Sequence, residues 1–272
     1  MAHVLLLTYG DSKRRCSLHA GRVATSSGRN NGDRTRDVLT ERGVEFVYHY
    51  APLHYLPFIA RSRCLLSKPA LIRAGFTEQH FRSTSRKQDW DRGFSEYIHL
   101  AVSTQPPILK AKLAAGFPHF ELEIPARAVE QTEFHLCRFN IAKTRYFKGA
   151  KQAPPECPQN GYYYNGKRIP IAKTRADRVA LFRANYGTNM IEVLVLHHLD
   201  LPDTTVVTVF SHEDEAIARR VLGAVDVPWR LASMGTGGYP RRVDYAHQVR
   251  TFIEQALHDH NWIGDALEFD RV

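Results

Sequence analysis

Apolar and polar positions fall into recognisable periods only from about Val44 onward. The run 44-VEFVYHY-50, β-branched and aromatic, reads as a strand. Pro52 suits a helix start, and in 53-LHYLPFIARS-62 the residues Leu53, Leu56 and Ile59 mark one buried face. The stretch 65-LLSKPAL-71 reads as a turn. The polar, arginine-rich 78-EQHFRSTSRKQDWDRG-93 reads as helical at its start and loose later. A strand is expected over 96-EYIHLAVS-103, then a short helix opened by Pro106-Pro107 and ended by Gly116. The runs 119-HFELEI-124 and 133-EFHLCRF-139 read as two further strands.

From about 145 to 175 no period is clear, and the segment holds 154-PPECPQNGYYYNGKRIP-170. So long a loop inside a compact domain is usually functional or disordered. A helix over about 175–185 follows, then the apolar strand of 189-NMIEVLVLHHLDLP-202 and a strand over 204-TTVVTVF-210. In the helix 213-EDEAIARRVLGA-224, acids occupy the first turn and Arg219 and Arg220 lie near the end, which suits the macrodipole. A short strand near 227-VPWRLA-232, a Gly-rich linker 235-GTGGYP-240 and a helix over 242–260 complete the chain. Strands and helices mix without regular β-α alternation, so the fold class is α+β. Three parts are expected: a basic N-terminal arm over 1–40, one domain over 41–232, and a linker with a C-terminal helix over 233–272.

Composition narrows the function classes. A hydrophobic fraction of 43% and a charged fraction of 24% are those of a soluble globular chain. No apolar run reaches the roughly 18 residues of a membrane span. The opening 1-MAHVLLLTYG is too short for a secretory core, so a cytoplasmic protein without a membrane partner is expected. Cys16, Cys64, Cys137 and Cys157 form no C-x-x-C pair, and the 14 histidines include no H-E-x-x-H, so neither a disulfide framework nor a metal site is expected. The net charge of +9 favours a polyanionic partner. Residues 1–37 carry seven Lys or Arg against three Asp; the rest of the excess lies in the folded part.

Four features could make a site. His49 stands between Tyr48 and Tyr50 at a strand end, either as a core histidine or as a ligand-facing one. Arg82 and Arg86, four apart, share a face if their segment is helical; they either solvate that face or hold an anion. Glu192 opens an apolar strand without a second acid beside it. In 162-YYYNGKR-168, Tyr162, Tyr163 and Tyr164 adjoin Lys167 and Arg168, a combination of stacking surfaces and phosphate-holding cations. The pentapeptide IAKTR occurs at 141–145 and 171–175, flanking that loop by chance or for a shared use of its cations, Arg145 among them.

The order of these motifs resembles the DarT family, bacterial toxins that transfer ADP-ribose from NAD to bases of DNA. A first Y-H-x-T-x-x-x-N-L-type segment corresponds to 48-YHYAPLHYLPFI-59. An arginine-bearing stretch, a strand and a P-M-L-like helix start correspond to 82-RSTSRKQDWDRG-93, 97-YIHLAVS-103 and 106-PPIL-109. The segment 137-CRFNIA-142 loosely matches F-S-D-x-N-A, and 190-MIEVLVLHHLDLP-202 matches a Q-A-E-V-L-V motif with its proline turn. The likeness spans about residues 44–225. The family's Thr and Asn fall on Ala51 and Tyr55, its Met on Ile108, and its Gln-Ala on Met190-Ile191.

The resemblance implies an ADP-ribosyltransferase fold, a split pair of mainly antiparallel sheets with peripheral helices. It implies Glu192 as the catalytic carboxylate that grips a ribose hydroxyl, assisted by Arg86 or Arg82, and NAD as substrate without a metal. Tyr48, His49, Tyr50, Tyr97 and Arg86 would contact the NAD. Tyr162, Tyr163, Tyr164, Lys167, Arg168 and Arg145 would grip single-stranded DNA. A role as toxin or phage-defence effector, with a macrodomain antitoxin as partner, is implied likewise. The alternatives are transfer to RNA or protein, and a non-enzymatic nucleic-acid-binding module.

Overall fold

The strand expected over 44–50 forms as β1, Phe46–Pro52, because its alternation buries Val47 and Ala51 on one face. The computed structural model describes residues 38–73, 94–138, 145–147, 161–164, 167–169, 171–184, 191–234, 247, 249–251 and 253–254. Preceding β1 is a one-turn helix α1, Val38–Glu41, whose Val38 and Leu39 are fully buried. Leu39 belongs to the main core. A 3-10 turn, Leu53–Tyr55, and helix α2, Leu56–Ser62, follow as expected.

The stretch read as a turn over 65–71 instead forms strand β2, Cys64–Leu66, and helix α3, Lys68–Arg73. A three-residue strand is too short to show a period. Next come β3, Tyr97–Ala101, and helix α4, Pro107–Ala114. Helix α4 ends before Gly116, whose φ of +82° is the left-handed value that favours glycine. Strand β4, His119–Pro125, helix α5, Ala126–Glu130, and β5, Phe134–Cys137, follow.

The segment without a period holds a small antiparallel sheet of β6, Arg145–Phe147, β7, Gly161–Tyr164, and β8, Lys167–Ile169. After it come β9, Ile171–Ala172, helix α6, Arg175–Ala184, and β10, Glu192–Leu196. Strand β11, His198–Asp200, pairs with β2, and β12, Val206–Val209, follows. Ser211 caps helix α7, His212–Val225, by accepting from the Asp214 amide at 3.1 Å, and β13, Arg230–Ser233, closes the large sheet.

That sheet runs β13-β12-β4-β1-β3-β10-β5-β9, antiparallel except where β12 meets β13. The two halves implied by the resemblance are joined in the middle, but barely. β1 matches β4 over seven consecutive pairs and β10 matches β3 over five, whereas β1 and β3 stay in register at one pair, Tyr48 opposite Ala101.

One sheet face is apolar over most of its width. Val47, Ala51, Ile98, Leu100, Phe120, Leu122, Ile124, Val193 and Val195 meet Leu56 and Ile59 of α2 and Ala218, Val221 and Leu222 of α7 in a single core. Val249 and Ile253, from the C-terminal helical residues, join it; Arg220–Glu254 and Arg250–Glu213 pairs tie that segment to α7. The opposite face is divided. Phe94, Cys137 and Leu194 cluster on one half, and Leu109, Leu113 and Phe210 with Tyr50 on the other. Among the described residues no helix is long and apolar enough to cross a membrane.

Candidate active site

Between those two small clusters runs a polar seam, and strand register dictates its members. Residues directly opposite one another in a sheet share a face. Pairing gives one unbroken row across the sheet, in which Glu123, Tyr48, Ala101 and Glu192 form the seam. The row passes into the apolar cluster at Cys137 and Ile171 on one side and to Val206 and Arg230 on the other. Glu192 thus sits one strand away from the point where the halves of the sheet part. Ala101, between it and Tyr48, contributes only a methyl group. Glu192 is 8% exposed, because Val193, Leu194 and Val195 bury the strand that carries it.

A buried carboxylate is costly unless it is hydrogen-bonded. Glu192 Oε1 lies 3.1 Å from Nδ1 of His99, on the adjacent strand β3. The other ring nitrogen of His99, Nε2, faces the Phe94 carbonyl at 3.3 Å. His99 also serves through its backbone: its carbonyl accepts from Nδ1 of His49 at 3.1 Å. A side chain of β1 thereby reaches the backbone of β3 close to their single register pair.

His49 shares a face of β1 with Val47 and Ala51, so it lies on the core side of the sheet, opposite to Tyr48. Burial lowers its pKa from the usual 6.5 to about 4. The His99 carbonyl opposes part of that shift, and the neighbouring His99 ring adds to it. The ring is therefore neutral at pH 7. Because a carbonyl can only accept, the proton sits on Nδ1, and Nε2 is an acceptor. Glu192 and His49 Nε2, each an acceptor, thus lie near the parting on opposite faces of the sheet.

The tyrosines separate. Tyr48 lies in the row with Glu192; burial first, then Glu123, Glu121 and Glu45, raise its pKa, so its hydroxyl keeps its proton. Tyr97, two positions from His99 on the same face, meets the His135 ring edge-on with centroids 5.4 Å apart. Burial, Glu133 and Glu96 raise its pKa. Tyr50 stands opposite Glu121 and packs with Leu109, Leu113 and Phe210, so the structure sends it into an apolar cluster.

Arg82 and Arg86 lie outside the described residues, as do the N-terminal arm up to residue 37 and the linker over 235–240. The nucleic-acid candidates fall on the three-stranded sheet. There Tyr163 pairs with both Arg145 and Arg168, while Tyr162 pairs with Tyr146 and Ile169, and Tyr164 with Lys167.

Sequence reasoning missed His99 and Glu121. Glu121, 2% exposed, accepts from the Thr104 hydroxyl at 2.5 Å and the Gln105 amide at 2.7 Å, and burial raises its pKa. It holds the segment that leaves Ala101 for α4. For His99 the available signal is a polar ring in the middle of the apolar strand 97-YIHLA-101.

No family model matches the sequence, and no curated protein matches it. Solved structures do. DarT of Thermus sp. 2.9 in complex with ADP-ribosylated ssDNA superposes with a TM-score of 0.50 at 12% identity, over 72% of this chain and 96% of that one. The same DarT in complex with carba-NAD+ gives a TM-score of 0.44 at 13% identity, over 74% and 97% of the two chains. Thermosipho africanus DarTG in complex with ADP-ribose gives 0.44 at 12% identity, over 70% of this chain and 50% of that one. The chain shares the DarT fold, a mixed α+β architecture around a largely antiparallel sheet.

Proposed function

We propose that this chain is a divergent DarT-like ADP-ribosyltransferase that moves ADP-ribose from NAD to a base of single-stranded DNA. The observation that carries the reading is Glu192, a buried carboxylate fixed beside the line where the sheet parts, in a fold shared with a DarT whose structure holds ADP-ribosylated ssDNA.

The chemistry asks for one carboxylate. In the reaction the bond between the nicotinamide nitrogen and ribose C1 breaks, and nicotinamide leaves with the bonding pair, which neutralises its ring. Positive charge develops on the ribose, as in glycoside hydrolysis. A carboxylate gripping a ribose hydroxyl strengthens its hold as that charge grows. Glu192 takes this role, and no general acid is needed because the leaving group departs neutral. A nitrogen of the base then forms the new bond to C1 and releases its proton to solvent or a nearby base.

His49 Nε2, an acceptor at pH 7, suits a second hydroxyl of the same substrate. Tyr48 and Tyr97 flank the seam and complete the NAD contacts, with Tyr50 supporting them from its apolar cluster. Arg86, or Arg82, neutralises the diphosphate or assists deprotonation of the base. The three-stranded sheet carrying Arg145, Tyr162, Tyr163, Tyr164, Lys167 and Arg168 supplies stacking surfaces and cations for an unpaired strand. A toxin role with a macrodomain partner fits this activity, and a cytoplasmic setting fits the expected target.

The test is mass spectrometry of nucleosides from single-stranded DNA oligonucleotides incubated with the protein and NAD. A single base carrying ADP-ribose is expected. RNA oligonucleotides and acceptor proteins run alongside reveal a different target if they alone are labelled. If none is labelled and cells tolerate expression, the transferase reading is wrong.

A further inference from the structure

Glu192 has a neighbour that the resemblance does not assign. His99 places each ring nitrogen against an oxygen: Nδ1 on Glu192 Oε1 at 3.1 Å, and Nε2 on the Phe94 carbonyl at 3.3 Å. A carbonyl only accepts, and so does an ionised carboxylate. Both contacts are hydrogen bonds at once when the ring carries a proton on each nitrogen. We infer that His99 is a positioning residue: a doubly protonated imidazole that fixes the plane of the Glu192 carboxylate. The inference rests on Glu192 acting in the transferase reaction proposed above.

The geometry favours this role over a merely structural one. His99 and Glu192 sit on neighbouring strands of one half-sheet, with β10 held to β3 through five consecutive pairs, so their backbones keep a fixed spacing. The Glu192 side chain has three rotatable bonds, and a strand alone does not set its terminal torsion. A bond from the next strand to one named oxygen does. The Phe94 carbonyl in turn fixes the His99 ring, and Phe94 is itself buried at 4% exposure in the cluster with Leu194 and Cys137. The carboxylate is thus braced through an imidazole to an apolar anchor. A charged partner also offsets the burial of Glu192, which a neutral residue at 99 would leave less well compensated.

Two substitutions separate the roles of the nitrogens. His99→Asn retains a donor near the position of Nδ1, and His99→Leu removes both donors. Nicotinamide release from NAD, in the presence of an accepted oligonucleotide, is expected to show kcat lowered by about 10–100-fold in His99→Leu, with KM for NAD within about threefold, as misplacement of a reacting group predicts. His99→Asn is expected to recover most of kcat. A wild-type kcat in His99→Leu overturns the proposal, and so does an equal loss in both variants at unchanged Tm. Independently of turnover, 15N NMR of the histidine rings is expected to show His99 protonated on both nitrogens at pH 7, and on one in Glu192→Gln. A neutral His99 ring in the wild type overturns the proposal. A wild-type protein that releases no nicotinamide with any acceptor sinks the transferase reading instead, while the NMR result still decides whether His99 holds Glu192.

Discussion

Tyr48 stands opposite Ala101, and at no other described pair do β1 and β3 remain in register. Glu192 lies directly across from Ala101 on the other side. The row Tyr48–Ala101–Glu192 therefore spans the parting of the sheet, with its smallest side chain in the centre. The backbone of β3 sets the spacing between Tyr48 and Glu192, and Ala101 places only a methyl group between them.

Filling that position should close the site without unfolding the protein. Ala101→Phe is expected to reduce nicotinamide release by at least about 100-fold, since displacement of reacting groups by about 1 Å already costs that much. Tm should move by only a few degrees, because Ala101 is itself only partly buried. A variant with normal turnover would show that substrate does not enter between Tyr48 and Glu192.

Glu192→Gln keeps the shape of the side chain and removes its charge. Losing one electrostatic stabiliser of a transition state typically costs about 100- to 1000-fold in kcat. Labelling of oligonucleotides should fall by that factor, and NAD affinity, measured by calorimetry, should change far less. Full activity in this variant would remove Glu192 from the mechanism.

Acid should destabilise the fold over a defined window. His49 and His119 both have pKa values lowered by burial from 6.5 to about 4. Between those values the unfolded chain takes up a proton at each site and the folded chain does not, so stability falls as pH drops from about 6.5 to about 4 and these two groups contribute no further change below. Each shift corresponds to roughly 3 kcal/mol. Urea midpoints at pH 7 and pH 4.5 measure the loss, and His119→Asn, which can still donate to the Phe117 carbonyl, should make the slope shallower.

The three-stranded sheet should serve the acceptor strand and leave NAD turnover alone. Replacing Tyr162, Tyr163 and Tyr164 together with Ala is expected to weaken binding of single-stranded DNA by about 1–3 kcal/mol for each base that stacks. Replacing Arg145 and Arg168 with Ala should reduce the slope of log K against log salt by about 0.7 for each phosphate that is no longer neutralised. Hydrolysis of NAD without an acceptor should persist in both variants. Equal loss of binding and hydrolysis would mark a structural role for the sheet.

Glu121 holds the segment between β3 and α4 through Thr104 and Gln105, and Gln105 has a φ of +47°, a left-handed value uncommon for a residue with a Cβ. Glu121→Ala removes both acceptors and should cost about 1–3 kcal/mol of stability. Hydrogen exchange of the Gln105 amide should accelerate with it. Unchanged exchange would show that Pro106 and Pro107 fix the segment unaided.

The residues that could be read from the sequence are those whose signal is local. The β-branched and aromatic run 44-VEFVYHY-50 and the run 119-HFELEI-124 mark strands, and both form within two residues of the expected bounds. The acids and arginines of 213-EDEAIARRVLGA-224 mark a helix that forms as α7. The apolar run after Glu192 marks a buried strand, which makes the acid conspicuous. Where elements are three residues long, as in β2 and β6, no period can form, and only turn residues and a gap in the pattern remain to be read.

Local patterning was enough to mark the strands and to show that one carboxylate opens the most apolar of them, but not which face of β1 is buried: that face carries Val47 and Ala51, not the tyrosines. It could not say which strands become neighbours. Tyr48, Ala101 and Glu192 lie far apart along the chain and meet because β1, β3 and β10 pack onto a common core and pair in one particular register. A slip of one residue would send Glu192 to the opposite face. His99 gained its place beside Glu192 through the same register. Strand pairing depends on burial between distant segments, so it emerges only when the whole chain has folded.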